Sequence, residues 1–224
     1  MFFGKGKTEV EVINDTNREV INFYKIVQND FVSLEKEVRI SLYSRSLHAA
    51  ASVVFNSPHM FSEIKRAWAV WILANISINA VLDNSWGYER KSNKTSLKLT
   101  NKRESFTEEL AIRLQNVQIE CADAIYVINS RDWEKAFFYV DPPYIGTCQG
   151  HYDGYTEDDY DRLLLTLSKI KGKFLLSSFP TPILDKYTKA NGWHSQHIEM
   201  RCSASTKQKR KIEVLTANYP LKNI

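Results

Sequence analysis

Phe137-Phe138-Tyr139-Val140-Asp141-Pro142-Pro143-Tyr144 places a carboxylate, two prolines and a phenol directly behind an apolar run. The run reads as a short buried strand. The prolines end it, because each lacks an N–H and has a fixed φ. In an open α/β sheet the carboxyl ends of strands are where ligands bind. These residue types suit methyl transfer to an exocyclic amine. The amino nitrogen of adenine is a poor nucleophile, since its lone pair is delocalised into the ring. The Asp141 carboxylate and the Pro142 carbonyl can each accept one of its N–H bonds, which favours a pyramidal nitrogen and frees the lone pair. The Tyr144 ring can stack on the base, and Pro143 fixes the turn. Such a base must first leave its duplex. The bland alternative is an ordinary turn at the end of a strand.

Two further acids come after strand-like segments. Asp15 comes after Val10-Glu11-Val12-Ile13-Asn14, and Asp123 after Val117-Gln118-Ile119-Glu120-Cys121-Ala122. Asp15 reads most simply as a helix N-cap and Asp123 as a turn-capping residue. Basic residues cluster at Arg90, Lys91, Lys94, Lys98, Lys102 and Arg103, and again at Lys207, Lys209, Arg210 and Lys211. A charge run of this kind is most often a solvated loop, and phosphate binding is the functional alternative. Trp68 and Trp71 lie three apart on an apolar stretch and read as core. His151 reads as a solvated loop residue.

Composition sets the outer limits. The chain has 224 residues, 43% apolar and 25% charged, with a net charge of +4. That supports one large core or a domain with an insertion, and permits a polyanionic partner without requiring one. Cys121, Cys148 and Cys202 show no paired spacing, so no disulfide framework or metal site is expected and the cytoplasm is the default compartment. No signal peptide is evident. The longest apolar stretch, Ala67 to Leu82, is interrupted by Asn75, Ser77 and Asn79, so a buried helix is expected there rather than a membrane span. We expect a monomer.

The elements that must carry these residues alternate. A strand around Val10 to Ile13 leads through Asn14-Asp15-Thr16-Asn17 to a helix over Arg18 to Gln28. Helices are expected over Val38 to Val54 and Ser62 to Leu82, and Trp86 to Arg103 shows no amphipathic face. Next come a helix from Thr107 to Leu114, a strand from Val117 to Glu120 and the strand Phe137 to Val140. Thr156 caps a helix through Ser168. Lys173 to Ser178 is a strand, and Pro182 to Ala190 is a helix closed by Gly192. Ile198 to Cys202 and Lys211 to Ala217 form a closing strand pair. The order predicts an α/β fold with a mostly parallel sheet, flanked by helices and carrying a helical insertion.

These segments together resemble the Dam-type (D12 class) DNA adenine methyltransferases. Val12-Ile13-Asn14-Asp15-Thr16-Asn17 with Val20 to Tyr24, Arg113 to Val117 with Glu120 to Asp123, Phe138 to Tyr144, Lys173 to Ser178 and Lys211 to Leu215 look like the family's blocks, in its order. The resemblance implies a Rossmann-like methyltransferase sheet over residues 1–30 and 106–224. It also implies a target-recognition insertion over 31–105, with S-adenosylmethionine as cofactor and double-stranded DNA as partner. By the same resemblance, Asp15 would hold the cofactor's ribose and Asp123 its adenine amino group. Asp141, Pro142, Pro143 and Tyr144 would hold the target adenine, and the two basic clusters would meet phosphates. No metal is implied. The chain departs from the family at Met1-Phe2-Phe3-Gly4-Lys5, which resembles only the stretch beyond the family's Gly-rich cofactor loop. The first strand and that loop are expected to be missing. The competing readings are a DNA-binding remnant without activity, and methyl transfer to a different amine.

Overall fold

The computed structural model describes residues 2–146, 152, 154–201 and 210–221. The chain divides into two compact units, Met1–Ala122 and Asp123–Ile224.

In the first unit, β1 (Val12–Asn14) pairs in parallel with β2 (Gln118–Glu120), Ile13 opposite Ile119. Asn17 caps α1 (Arg18–Asn29), its side chain accepting from the N–H groups of Glu19 and Val20. α2 (Phe31–Arg39), α3 (Arg45–Asn56), α4 (Glu63–Ile76), α5 (Lys94–Glu104) and α6 (Glu109–Leu114) complete the unit. α4 is its axis. Ala67 through Leu73 are all buried, as is Ile76, and α1, α2 and α3 pack around it. A helix that is apolar all round belongs in a core, so the expected buried helix is found, with Trp68 and Trp71 inside it, although it ends at Ile76 rather than at Leu82. Arg66 on α4 grips Glu19 on α1 with two bonds, Nε to Oε2 at 2.8 Å and Nη2 to Oε1 at 2.7 Å. Among the described residues, no helix is long and apolar enough to cross a membrane.

Two expectations fail in this unit. Val38 to Val54 is not one helix. The chain breaks between α2 and α3, where Ser41 and Ser44 compete for backbone groups. The Ser41 hydroxyl donates to the Glu37 carbonyl and accepts from the Trp68 indole N–H, and Ser44 caps α3 at Leu47. Conversely, α5 forms where no helix was expected. It buries only Leu99, so its sequence shows no apolar stripe. Arg103 anchors it by donating to the Ser41 carbonyl at 2.8 Å.

The second unit holds α7 (Ala124–Arg131), β3 (Phe137–Val140), α8 (Glu157–Leu167), β4 (Lys173–Ser178), α9 (Pro182–Asn191), β5 (His194–Arg201) and β6 (Arg210–Ala217). The strand order is β3-β4-β6-β5. β3 and β4 run parallel, whereas β6 is antiparallel to both β4 and β5. The sheet is therefore less uniformly parallel than expected. The segment joining β5 to β6 is too short for a parallel crossover, which takes about a dozen residues or more. β4 is buried along its length after Lys173, and α8 supplies Tyr160, Leu163, Leu164 and Leu167 to the same core. Thr156 and Asp159 form a reciprocal capping box at the start of α8, and Gly192 closes α9 at φ 64°. The turn into β4 is tight. Asp132 accepts from the N–H groups of Lys171 and Gly172, and a Cβ at Gly172 would lie 2.8 Å from the Ala136 carbonyl oxygen. The short helix α7 was not foreseen. The Asp123 carboxylate starts it, and only Val127 and Ile128 are buried.

Candidate active site

Asp141 comes directly after the last residue of β3, and Tyr144 reaches across to the end of β4. The Tyr144 hydroxyl lies 2.9 Å from Ser177 Oγ, and its ring centroid is 4.5 Å from that of Phe179 at an interplanar angle of 57°. The strand-plus-prolines signal thus translates into geometry. β3 stops, the chain turns, and an aromatic ring is fixed over the carboxyl end of the neighbouring parallel strand. Ser177 is buried. Desolvation raises the Asp141 carboxyl above its ordinary range, and a hydrogen bond from the Tyr144 hydroxyl opposes this. Tyr144 and Tyr139 are both shifted upward, first by desolvation, with the Asp141 and Glu213 charges adding to it. Both phenols therefore stay neutral at physiological pH. Asp141, Tyr139, Tyr144, Ser177, Phe179 and Glu213 form one acidic and aromatic group around the ends of β3 and β4.

Ser177, Phe179 and Glu213 were not singled out from the sequence. The run Ser177-Ser178-Phe179-Pro180 behind an apolar strand repeats the logic of Val140-Asp141-Pro142. It offered the only signal that a second strand end contributes.

Asp15 lies one residue past β1. Its Oδ1 accepts from the Asn17 N–H at 2.8 Å and its own N–H donates to the Glu120 carbonyl, so the capping residue of α1 is Asn17 and not Asp15. Asp123 does cap a helix. Its Oδ1 accepts from the N–H groups of Ile125 and Tyr126 at 3.0 and 3.1 Å, and the residue is exposed. A carboxylate has about four lone-pair sites, so a residue that caps in this way can still accept from a ligand through Oδ2. A carboxylate at a strand end can accept from ribose hydroxyls or from an adenine amino group.

Arg90, Lys91, Lys94 and Lys98 are all exposed in the first unit, with Lys94 and Lys98 one turn apart on α5. Lys207, Lys209, His151, Cys148 and Cys202 lie outside the described residues, and Arg210 enters as the first residue of β6. Among the described residues, no group of three or more His, Cys, Asp or Glu side chains is arranged to hold a metal ion.

The model of one protein family, the D12 class N6 adenine-specific DNA methyltransferases, matches residues 1–191. No curated protein matches the chain.

Proposed function

Since the chain belongs to the D12 class N6 adenine-specific DNA methyltransferase family, we propose that it methylates N6 of an adenine turned out of duplex DNA, with S-adenosylmethionine as methyl donor. One observation carries this reading: the Asp141-Pro142-Pro143-Tyr144 segment stands at the carboxyl end of β3, with the Tyr144 ring held against Phe179 and Ser177. Asp141 and the Pro142 carbonyl accept the two amino protons, and the Tyr144 face receives the base. The cofactor supplies an electrophilic methyl group on a sulfonium that carries its own leaving group. Asp15 holds the ribose hydroxyls and Asp123 the cofactor's adenine amino group.

The α/β alternation supports a Rossmann-like methyltransferase fold, with residues 1–30 and 106–224 in catalysis and 31–105 in target recognition. Arg90, Lys91, Lys94, Lys98, Lys207, Lys209 and Arg210 meet phosphates.

The test of the function is transfer of labelled methyl groups to duplexes that contain or lack adenine. It is run on this chain, with Asp141→Ala as control. Incorporation that requires adenine and Asp141 supports the reading. Incorporation into adenine-free DNA would assign a different amine.

A further inference from the structure

A second aromatic site lies in the first unit. Tyr43, Trp86, Tyr88, Glu89, Ser92 and Thr95 line a cavity of about 140 Å³ in front of α5. Trp86 and Tyr88 stack at 5.4 Å and 19°, and Tyr43 packs on Trp86 at 5.3 Å. The Arg45 guanidinium covers both, 4.8 Å from the Trp86 centroid and 5.5 Å from that of Tyr88. The Tyr43 hydroxyl donates to the Gly87 carbonyl, which fixes that wall. The indole N–H of Trp86 is buried without a hydrogen-bond partner among the described residues, an arrangement that is uncommon in folded proteins. At the rim, the Glu89 carboxylate accepts from the Ser92 hydroxyl at 2.8 Å and the Thr95 N–H at 3.2 Å, bonds that hold it ionised.

We propose that this cavity, formed by Tyr43, Trp86, Tyr88 and Glu89, receives one unpaired nucleobase of the bound DNA, separate from the base that is methylated. The inference rests on the DNA-methyltransferase reading for its ligand and on this cavity for its place.

Three observations select the occupant. The volume falls below the roughly 300–1,000 Å³ of ordinary small-molecule sites, which suits a single planar ring system rather than a whole nucleotide. Aromatic rings stack on any base, whereas the Arg45 charge already on Trp86 and Tyr88 disfavours a second cation. The exposed Arg90, Lys91, Lys94 and Lys98 belong to the same loop and helix, so a strand whose base enters would leave its phosphates among cations. Glu89 adds a preference, because a carboxylate accepts from the amino group of cytosine or adenine and finds no such amino donor on thymine.

The experiment uses fluorescence anisotropy on the whole chain. The labelled duplexes are fully paired, or carry one extra unpaired dC, or one extra unpaired dT. The expected result is about fivefold or greater preference for the dC bulge over the paired duplex, with dT between them. Tyr88 is 51% exposed, so Tyr88→Ala should fold normally. It should collapse the bulge-to-paired ratio towards one, and Tyr88→Phe should restore it. A ratio of one in the unaltered chain, or a ratio that survives Tyr88→Ala, overturns the proposal. Methyl incorporation measured alongside separates the two readings. Bulge preference without methylation counts against the catalytic reading alone, and methylation without bulge preference counts against the pocket alone.

Discussion

Asp141 carries its charge against its surroundings. Its carboxyl is raised by desolvation, so the native state binds its proton more tightly than the unfolded chain does. Stability is then lost as pH rises through that range. Asp141→Asn should remove this loss. Its melting temperature at pH 7 should equal or exceed that of the unaltered chain, and the gap should close below about pH 4. Methyl transfer should instead fall by about a hundredfold or more, the equivalent of roughly 2–4 kcal/mol for one preorganised acceptor. A variant that melts several degrees lower would make Asp141 a structural residue. Tyr144→Ala should weaken capture of the base by about 1–3 kcal/mol, seen in KM for DNA, while Tyr144→Phe keeps the stacking face and most of the affinity. The strand end that carries Asp141 and Tyr144 was legible in the sequence because two prolines close an apolar run. Ser177 was not, since a serine inside a buried strand gives no sign of whose hydroxyl it will meet.

Elements were legible where periodicity and caps agreed. α8 announced itself through Thr156 and Asp159, and α9 through Pro182 and Gly192. They were hidden where tertiary contacts decided, as for α5 with its single buried Leu99 and the break at Ser41 that Trp68 and Arg103 stabilise. The entry into β1 depends on one acid. Glu11, 7% exposed, accepts from Arg113 on α6 at 2.6 and 2.8 Å and also from Lys5. The hydrogen bonds from Arg113 lead the causes that hold its carboxyl down at about 2. A depressed acid stabilises the fold above its unfolded value and ceases to do so as pH falls through the folded value. Glu11→Gln should therefore cost on the order of 1–2 kcal/mol at neutral pH, after allowing for solvent screening. Chemical denaturation should show that difference fading between pH 4.5 and about 2. A constant difference across that window would remove the ion pair from the account. In the second unit, Gly172→Ala should cost about 1–3 kcal/mol, since its Cβ would press on the Ala136 carbonyl. An unchanged melting temperature would show that the β4 turn can relax.

At the scale of the whole molecule, charge is placed rather than abundant. A net +4 is modest, yet Arg90, Lys91, Lys94 and Lys98 are exposed within one loop and helix. Reversing Lys94 and Lys98 to Glu should weaken binding to all duplexes alike and flatten the dependence of log affinity on log salt, by about one unit of slope per lost contact. An unchanged slope would place the phosphates elsewhere.

Tyr144 is pinned at both ends, its ring on Phe179 and its hydroxyl on Ser177. A side chain already ordered loses little rotamer freedom when a base settles on it. On the proposed function the waiting partner is then the DNA, and the slow step of capture becomes the opening of the target pair rather than the ordering of this ring. Adenine opposite a mismatch, which opens more easily, should be methylated faster than the same adenine in a perfect duplex.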